Sequence, residues 1–344
     1  MRPASLRNPG ACAAKKRRLS LRRLRMLRRR EIIAAMYTVQ RPSRSEYHPL
    51  RGIEYHVRLW EPEKVDGALP PLFLAHGWMD VAASYQFVVD AFSADFLAGR
   101  TIIAADWRGF GLTKPGLRVD HYQFVDYLAD LDLLLDHYAP GKAVDLVGHS
   151  MGGNVAMLYA GTRPARIRRL VNLEGFGLAA TTPDEAPARY AQWLDETRAL
   201  ARGELDLKSY DSLEGVAQRL RKTNRRIDQD KALWLAQHWA APDAAGRWHI
   251  LGDAAHKVVN PHLFHVDEVL ALYAAITAPT LAIEASDDSL SQWNKGRYTL
   301  DEYHARLNHV RDCRTARVDD AGHMLHHDQP EVVARLIEDF LRAA

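Results

Sequence analysis

The sequence predicts an α/β domain built around a mostly parallel sheet, with a helical region inserted late in the chain, and three observations carry that expectation. From Tyr47 onward, strand-like and helix-like segments alternate. Two short apolar runs, residues 72–75 and 101–105, stop at His76-Gly77 and at Asp106, as buried parallel strands stop at their functional ends. The rhythm then changes at about Thr181, where Pro183 and Pro187 precede some ninety residues of helical periodicity with no convincing strand. With 344 residues, 47% apolar and 9% aromatic, the chain can bury a large core without disulfide or metal staples, which excludes disorder as its main state. Its apolar runs are far shorter than the roughly 20 residues of a membrane-spanning helix, and mean hydropathy is −0.31, so no membrane span is expected.

Taken in order, residues 53–60 alternate like a half-exposed strand, and 72–75 and 101–105 read as buried strands. Residues 85–97 and 122–138 carry apolar side chains at helical spacing and end at Gly99 and at Pro140-Gly141. Residues 143–147 form a further strand, 154–160 a helix and 170–173 another strand. The inserted region divides into helices near 188–201, 212–222, 230–239 and 266–276, separated by Pro242, Gly252 and Pro261. The sheet pattern returns at 279–283, followed by a helix at 300–307 and a strand at 315–318. Val332, Val333, Leu336, Ile337 and Phe340 make one face of a last amphipathic helix, 331–341.

Charge is unevenly spread. Residues 1–35 hold 12 Lys or Arg against one acid, Glu31, whereas the remainder has 34 basic and 42 acidic residues, so a +11 head precedes a −8 body. A whole-chain pI of 8.8 is therefore no sign that the folded body binds nucleic acid, and none is expected to bind it. Mutual arginine repulsion predicts a disordered head, and an origin of translation at Met36 would remove it. It lacks the apolar run of a secretory signal. Two cysteines, Cys12 and Cys313, cannot build a disulfide framework, so a reducing, cytoplasmic setting is expected.

Gly148-His149-Ser150-Met151-Gly152 lies between a predicted strand and a predicted helix. A strand-to-helix turn that sharp requires little bulk two residues either side of the serine, and Gly148, Gly152 and Gly153 meet that need. It would hold Ser150 at a helix N-terminus, where negative charge is favoured.

Together with His76-Gly77-Trp78, Asp106-Trp107-Arg108-Gly109-Phe110-Gly111 and Ala321-Gly322-His323, this motif resembles the α/β-hydrolase superfamily over essentially all of residues 37–344. The pair His76-Gly77-Trp78-Met79-Asp80 and Leu173-Glu174-Gly175-Phe176-Gly177 is most similar to its serine hydrolase-like subgroup. The resemblance implies an eight-stranded, mostly parallel sheet flanked by helices. Residues 36–180 and 277–344 would form the core, and residues 181–276 a helical cap inserted after the sixth strand.

It further implies a serine hydrolase acting on an ester or related acyl compound through an acyl-enzyme. A carbon-carbon bond hydrolase, a lactonase or a cofactor-free peroxidase could use the same triad, and a non-catalytic binding protein is the alternative of another class. Ser150 would be the nucleophile and His323 the base. Asp288 is the first candidate for the acid, with Glu174 next and Asp287 third. Trp78 and Met151 would supply oxyanion-hole N–H groups. His76 and His149 read as loop-bracing histidines, and Asp106 and Arg108 as locks on their own turn. His326, His327 and Asp328 complete no ligand set of known spacing, so neither a metal nor a cofactor is expected. Trp193, Trp234, Trp239 and Trp248 fall in the cap and are candidates for an apolar pocket around a small-molecule substrate, although each could instead glue the cap together. A homodimer is left open.

Overall fold

The computed structural model describes residues 36–343, so the basic head and the expectation of disorder there lie outside the described residues. Eight strands make the main sheet: β1 (Arg44–Leu50), β2 (Ile53–Trp60), β3 (Leu72–Ala75), β4 (Ile102–Ala105), β5 (Val144–His149), β6 (Ile167–Leu173), β7 (Thr280–Ala285) and β8 (Cys313–Val318). Their spatial order is β1-β2-β4-β3-β5-β6-β7-β8, and a two-residue segment, Lys114–Pro115, pairs on β2. β2 runs antiparallel to β1 and β4, while every other neighbouring pair is parallel. β1 reads Arg-Ser-Glu-Tyr-His-Pro-Leu, too polar to announce itself, and its pairing explains why β2 is largely buried rather than half-exposed.

The principal helices are α1 (Gln86–Ala91), α2 (Phe124–Tyr138), α3 (Met151–Thr162), α4 (Ala186–Ala201), α5 (Leu213–Thr223), α6 (Gln229–Trp239), α7 (Val266–Ala275), α8 (Ser289–Asn294), α9 (Leu300–Leu307) and α10 (Pro330–Arg342). The single helix expected over 85–97 is split, because Phe92 and Ser93 turn extended and Ser93 caps the separate turn Ala94–Leu97. α10 buries Val333, Ala334, Ile337, Phe340 and Leu341, as its sequence pattern requires.

Each face of the sheet carries its own apolar layer. One joins Tyr55, Phe73, Leu146 and Ile103 to α2, α3 and α7, and the other joins Leu74, Ile102, Val147 and Ile283 to α1 and α10. A third cluster fixes the inserted region to the core: Phe87 meets Trp234 edge-on with ring centroids 5.6 Å apart, beside Val216, Ala217 and Leu233. Fully burying such side chains stabilises by about 1.5–3 kcal/mol each. The insertion is not wholly helical, since Ser209–Tyr210, Ala240–Pro242 and Trp248–Ile250 pair as a small antiparallel sheet. Segments that short leave no periodicity to read. Among the described residues no helix is long and apolar enough to cross a membrane.

Histidines are buried in unusual number. Burial holds His76 and His238 down to about 4 and His256 and His327 down to about 3, and keeps His149 and His326 well below the usual imidazole value. Unfolded, these rings titrate near about 6.5. Below that pH the unfolded chain binds protons that the fold refuses, so stability is lost as pH falls from about 6.5 toward about 3 to 4. Buried carboxyls act in the opposite sense, Asp80 and Glu174 most strongly, because burial holds these two up to about 7 and they take up protons in the fold, with Asp145 raised the same way. The histidines outnumber them. We therefore expect the melting temperature to drop by more than about 10 °C between pH 7.5 and 5.5, measured by calorimetry; a flat profile over that range would contradict the buried neutral rings.

Candidate active site

Ser150 sits between β5 and α3 with φ 53° and ψ −116°, a conformation costing about 1–3 kcal/mol for a residue with a Cβ. Its N–H donates to the Leu173 carbonyl at 2.8 Å, which ties the turn to the neighbouring strand β6. A serine at a helix N-cap normally accepts a hydrogen bond from the first turn. This one makes no side-chain cap bond, so its hydroxyl is left for other chemistry. The glycines are obligatory: a Cβ on Gly148 would strike the Gly152 carbonyl, and a Cβ on Gly152 would strike the Ala75 carbonyl at the end of β3. Met151 opens α3, where its N–H has no intrahelical acceptor.

The loop after β3 lies against this turn. A Cβ placed on Gly77 would fall 3.2 Å from the Ser150 Cβ. His76 braces the loop: its Nδ1 is 2.8 Å from the Gly77 carbonyl and so carries the proton, while its bare Nε2 accepts from the Trp107 N–H at 2.9 Å. Trp107 Nε1–H donates back to the His76 carbonyl at 3.0 Å. Met79 adopts φ 55°, and its carbonyl accepts from Trp239 Nε1–H at 2.7 Å. Asp106 bonds across its own turn to the Leu112 N–H at 2.9 Å, whereas Arg108 turns to another partner. Asp106 accepts from His56 Nδ1 at 2.8 Å and from the Ala82 and Leu112 N–H groups, which hold it ionised below the ordinary carboxylate value despite burial. Arg108 forks onto Asp130, with Nη2 at 2.6 Å.

His323 lies in the turn after β8. Its carbonyl accepts from His149 Nε2–H at 2.7 Å, which links it to the residue preceding Ser150. Its Nδ1 stands 3.3 Å from Glu174 Oε2. Glu174 is buried at the end of β6, with φ 54°; Oε1 accepts from the Ala285 N–H at 2.7 Å and Oε2 from Ser289 Oγ at 2.8 Å. Burial holds its carboxyl up to about 7, with Asp288 and Asp287 pushing the same way, while burial holds the His323 imidazole down to about 3.

The three acid candidates are placed differently by the structure. Asp288 does not meet His323; its carboxylate caps α8 by accepting from the Ser291 N–H at 2.9 Å. Asp287 is half-exposed and pairs with Arg226 at 2.7 Å. Glu174, the second choice, faces the histidine instead. Its partner Ser289 had no signal in the sequence.

Three of the cap tryptophans fall on the packing side of the two readings that the sequence allows. Trp234 is buried between cap and core, Trp193 packs among Leu200, Ala255 and Val258, and Trp248 lies in the small cap sheet; these three supply packing rather than a pocket lining. Trp239 touches the site indirectly, through the Met79 carbonyl. The aromatic surface at the site comes from two other residues. Trp78, beside Gly77, is 53% exposed, and Trp293, on α8, is 57% exposed with its ring edge-on to His323 at 4.2 Å.

A parallel sheet carrying a strained serine at a strand-to-helix turn, with a histidine and a buried carboxylate converging from later strands, defines the class of α/β hydrolases. Residues 70–330 match the alpha/beta hydrolase fold family, and the chain belongs to it. It is 24% identical over 320 residues to a serine hydrolase-like protein of Danio rerio, spanning 89% of this chain and 90% of that one. Among solved structures, a thioesterase domain from the curacin biosynthetic pathway aligns with TM-score 0.70 at 19% identity, over 86% of this chain and 99% of that one. An esterase of Mycobacterium tuberculosis aligns with TM-score 0.61 at 19% identity, over 88% and 92%. Those two likenesses carry the fold.

The elbow makes a direct claim on stability. Gly152→Ala would drive a methyl into backbone carbonyls that cannot rotate away, so we expect a loss of about 3 kcal/mol or more, or no soluble protein. Gly67→Ala, where nothing lies within 4 Å, serves as the neutral control in the same denaturant titration.

Proposed function

We propose that the protein is a serine hydrolase that cleaves an ester or related acyl compound with a hydrophobic group, through an acyl-enzyme. The observation that carries this reading is Ser150 on its positive-φ turn, uncapped, whose neighbour His149 bonds the carbonyl of His323, a histidine with Nδ1 3.3 Å from a buried carboxylate. With Nδ1–H directed at Glu174, Nε2 of His323 carries the lone pair that accepts the Ser150 proton as Oγ attacks the substrate carbonyl. The oxygen that becomes negative is received by the N–H groups of Met151 and Trp78. His323 then passes the proton to the departing alkoxide, and in the second half it deprotonates water to release the acid and restore Ser150. Burial leaves the His323 imidazole, held near 3, neutral at physiological pH, and the Glu174 carboxylate is the group that would stabilise the imidazolium as it forms. Exposed Trp78, Trp293 and Leu178 support a small-molecule substrate with an apolar portion.

A fluorophosphonate probe should label the protein at Ser150, and Ser150→Ala should remove both labelling and turnover of a p-nitrophenyl ester panel while melting unchanged. Full activity in that variant would end the serine-hydrolase reading.

Glu174 takes the acid role in this proposal. Replacing the partner of a triad histidine costs about ten-thousand-fold in rate, so Glu174→Gln should cripple kcat, whereas Asp287→Asn should change it little and Asp288→Asn should act mainly by loosening the α8 cap. Because protonated Glu174 cannot stabilise the imidazolium, kcat/KM should rise with pH through about 7. An acid limb centred near 4 would place the controlling carboxyl elsewhere.

A further inference from the structure

A buried polar cluster next to the nucleophile turn has no part in the reaction just described. Asp80 follows β3, His149 ends β5 and His326 lies three residues past His323; all three are buried. One ligand-capable atom from each lies within 4.8 Å of the others, and the two imidazole rings are 4.2 Å apart.

Hydrogen bonding at this cluster leaves two ring nitrogens over. His149 gives its Nε2–H to the His323 carbonyl, so its Nδ1 is bare. Ser84 Oγ lies 2.7 Å from Asp80 Oδ2 and 3.2 Å from His326 Nε2, and it also meets His327 Nε2, so the only hydrogen-bond contact of the His326 ring is through Nε2. Nδ1 of His149 and Nδ1 of His326 are buried and neither has a hydrogen-bond partner, although buried polar atoms are almost always satisfied. Two unpartnered imidazole nitrogens in a cluster with a carboxylate fit a bound cation.

We propose that Asp80, His149 and His326 form a binding site for a divalent transition-metal ion of the zinc type. A carboxylate with two imidazoles is a donor set that suits zinc. Metal-bound histidines characteristically give their second ring N–H to a carbonyl or another fixed acceptor, and both rings here are held at the second nitrogen, one on a backbone carbonyl and one on Ser84. The ion would tie the turn after β3, the residue preceding Ser150 and the segment following His323 into one unit, a structural role distinct from the hydrolytic chemistry. Sequence spacing gave no warning of it and led to the expectation of no metal, because the three ligands come from three separate segments.

The other such group among the described residues, Glu46, His48 and His137, lies on the surface, and its Glu46 already accepts from Tyr138 at 2.6 Å. The test is therefore made in His137→Gln protein, full chain, expressed in zinc-supplemented medium, desalted and analysed for metal. We expect about one zinc per chain, and a melting temperature that falls by about 5 °C on chelation and returns with ZnCl2 alone. Asp80→Asn, close to isosteric, and His326→Gln should each lower the zinc content at least about tenfold. Metal below about a tenth per chain, or zinc retained in both variants, overturns the proposal and leaves a buried water as the partner of the two nitrogens. Should neither variant fold, cobalt loaded into the His137→Gln protein decides: intense visible bands of low-coordinate cobalt bound to nitrogen and oxygen are expected, and their absence overturns it.

Discussion

The approach of α3 to the end of β3 is the constraint on which the rest depends. The first turn of that helix comes so near the Ala75 and His76 carbonyls that residue 152 can carry no side chain, and residue 148 is excluded from having one by the same turn. The chain meets this geometry by placing Ser150 at positive φ, and that backbone choice takes its hydroxyl out of the helix-capping position it would otherwise occupy. Close packing and an available nucleophile are thus one feature. The bonds from Ser150 N–H to Leu173 and from His149 to the His323 carbonyl then fix the two later strands' contributions relative to the turn.

Much of this architecture was legible because steric requirements leave marks on sequence. Glycines at fixed offsets from a serine, apolar runs ending at turn residues and the split of the core around a helical insertion all follow from local backbone needs, and each was readable before any coordinate. β1 was not, since an edge strand half open to water carries no alternating signature. The role of Trp293 was unreadable for a different reason: a short helix after an acidic turn gives no hint that one of its side chains leans on a histidine 30 residues away. The cap tryptophans are ambiguous in sequence because size and apolarity are shared by residues that line a pocket and residues that fill a seam.

The electrostatics of the site are governed by burial more than by pairing. Glu174 is pushed up and His323 pushed down by the loss of water, so each is held toward its neutral form. The same exclusion of water surrounds His76, which can brace its loop as a fixed tautomer because it is not protonated near neutral pH. The neutral state of His323 and the fixed tautomer of His76 therefore share one cause.

Why a glutamate at the end of β6, and not the aspartate after β7, faces His323 follows from reach. β6 and β7 are parallel neighbours, with Leu173 opposite Ile283, so residue 174 leaves the sheet alongside the strand that carries the expected acid. A glutamate has one methylene more than an aspartate, enough to extend sideways over the end of β7, where the Ala285 N–H and Ser289 Oγ receive its carboxylate. Once that position is filled, a second carboxylate there would meet like charge in a dry site, at a cost that rises as the dielectric falls. Asp288 turns instead to the nearest unpaired donors, the N–H groups opening α8. Sequence offers two carboxylates of equal chemistry at the ends of adjacent strands; the choice between them is made by which one the α8 turn can spare.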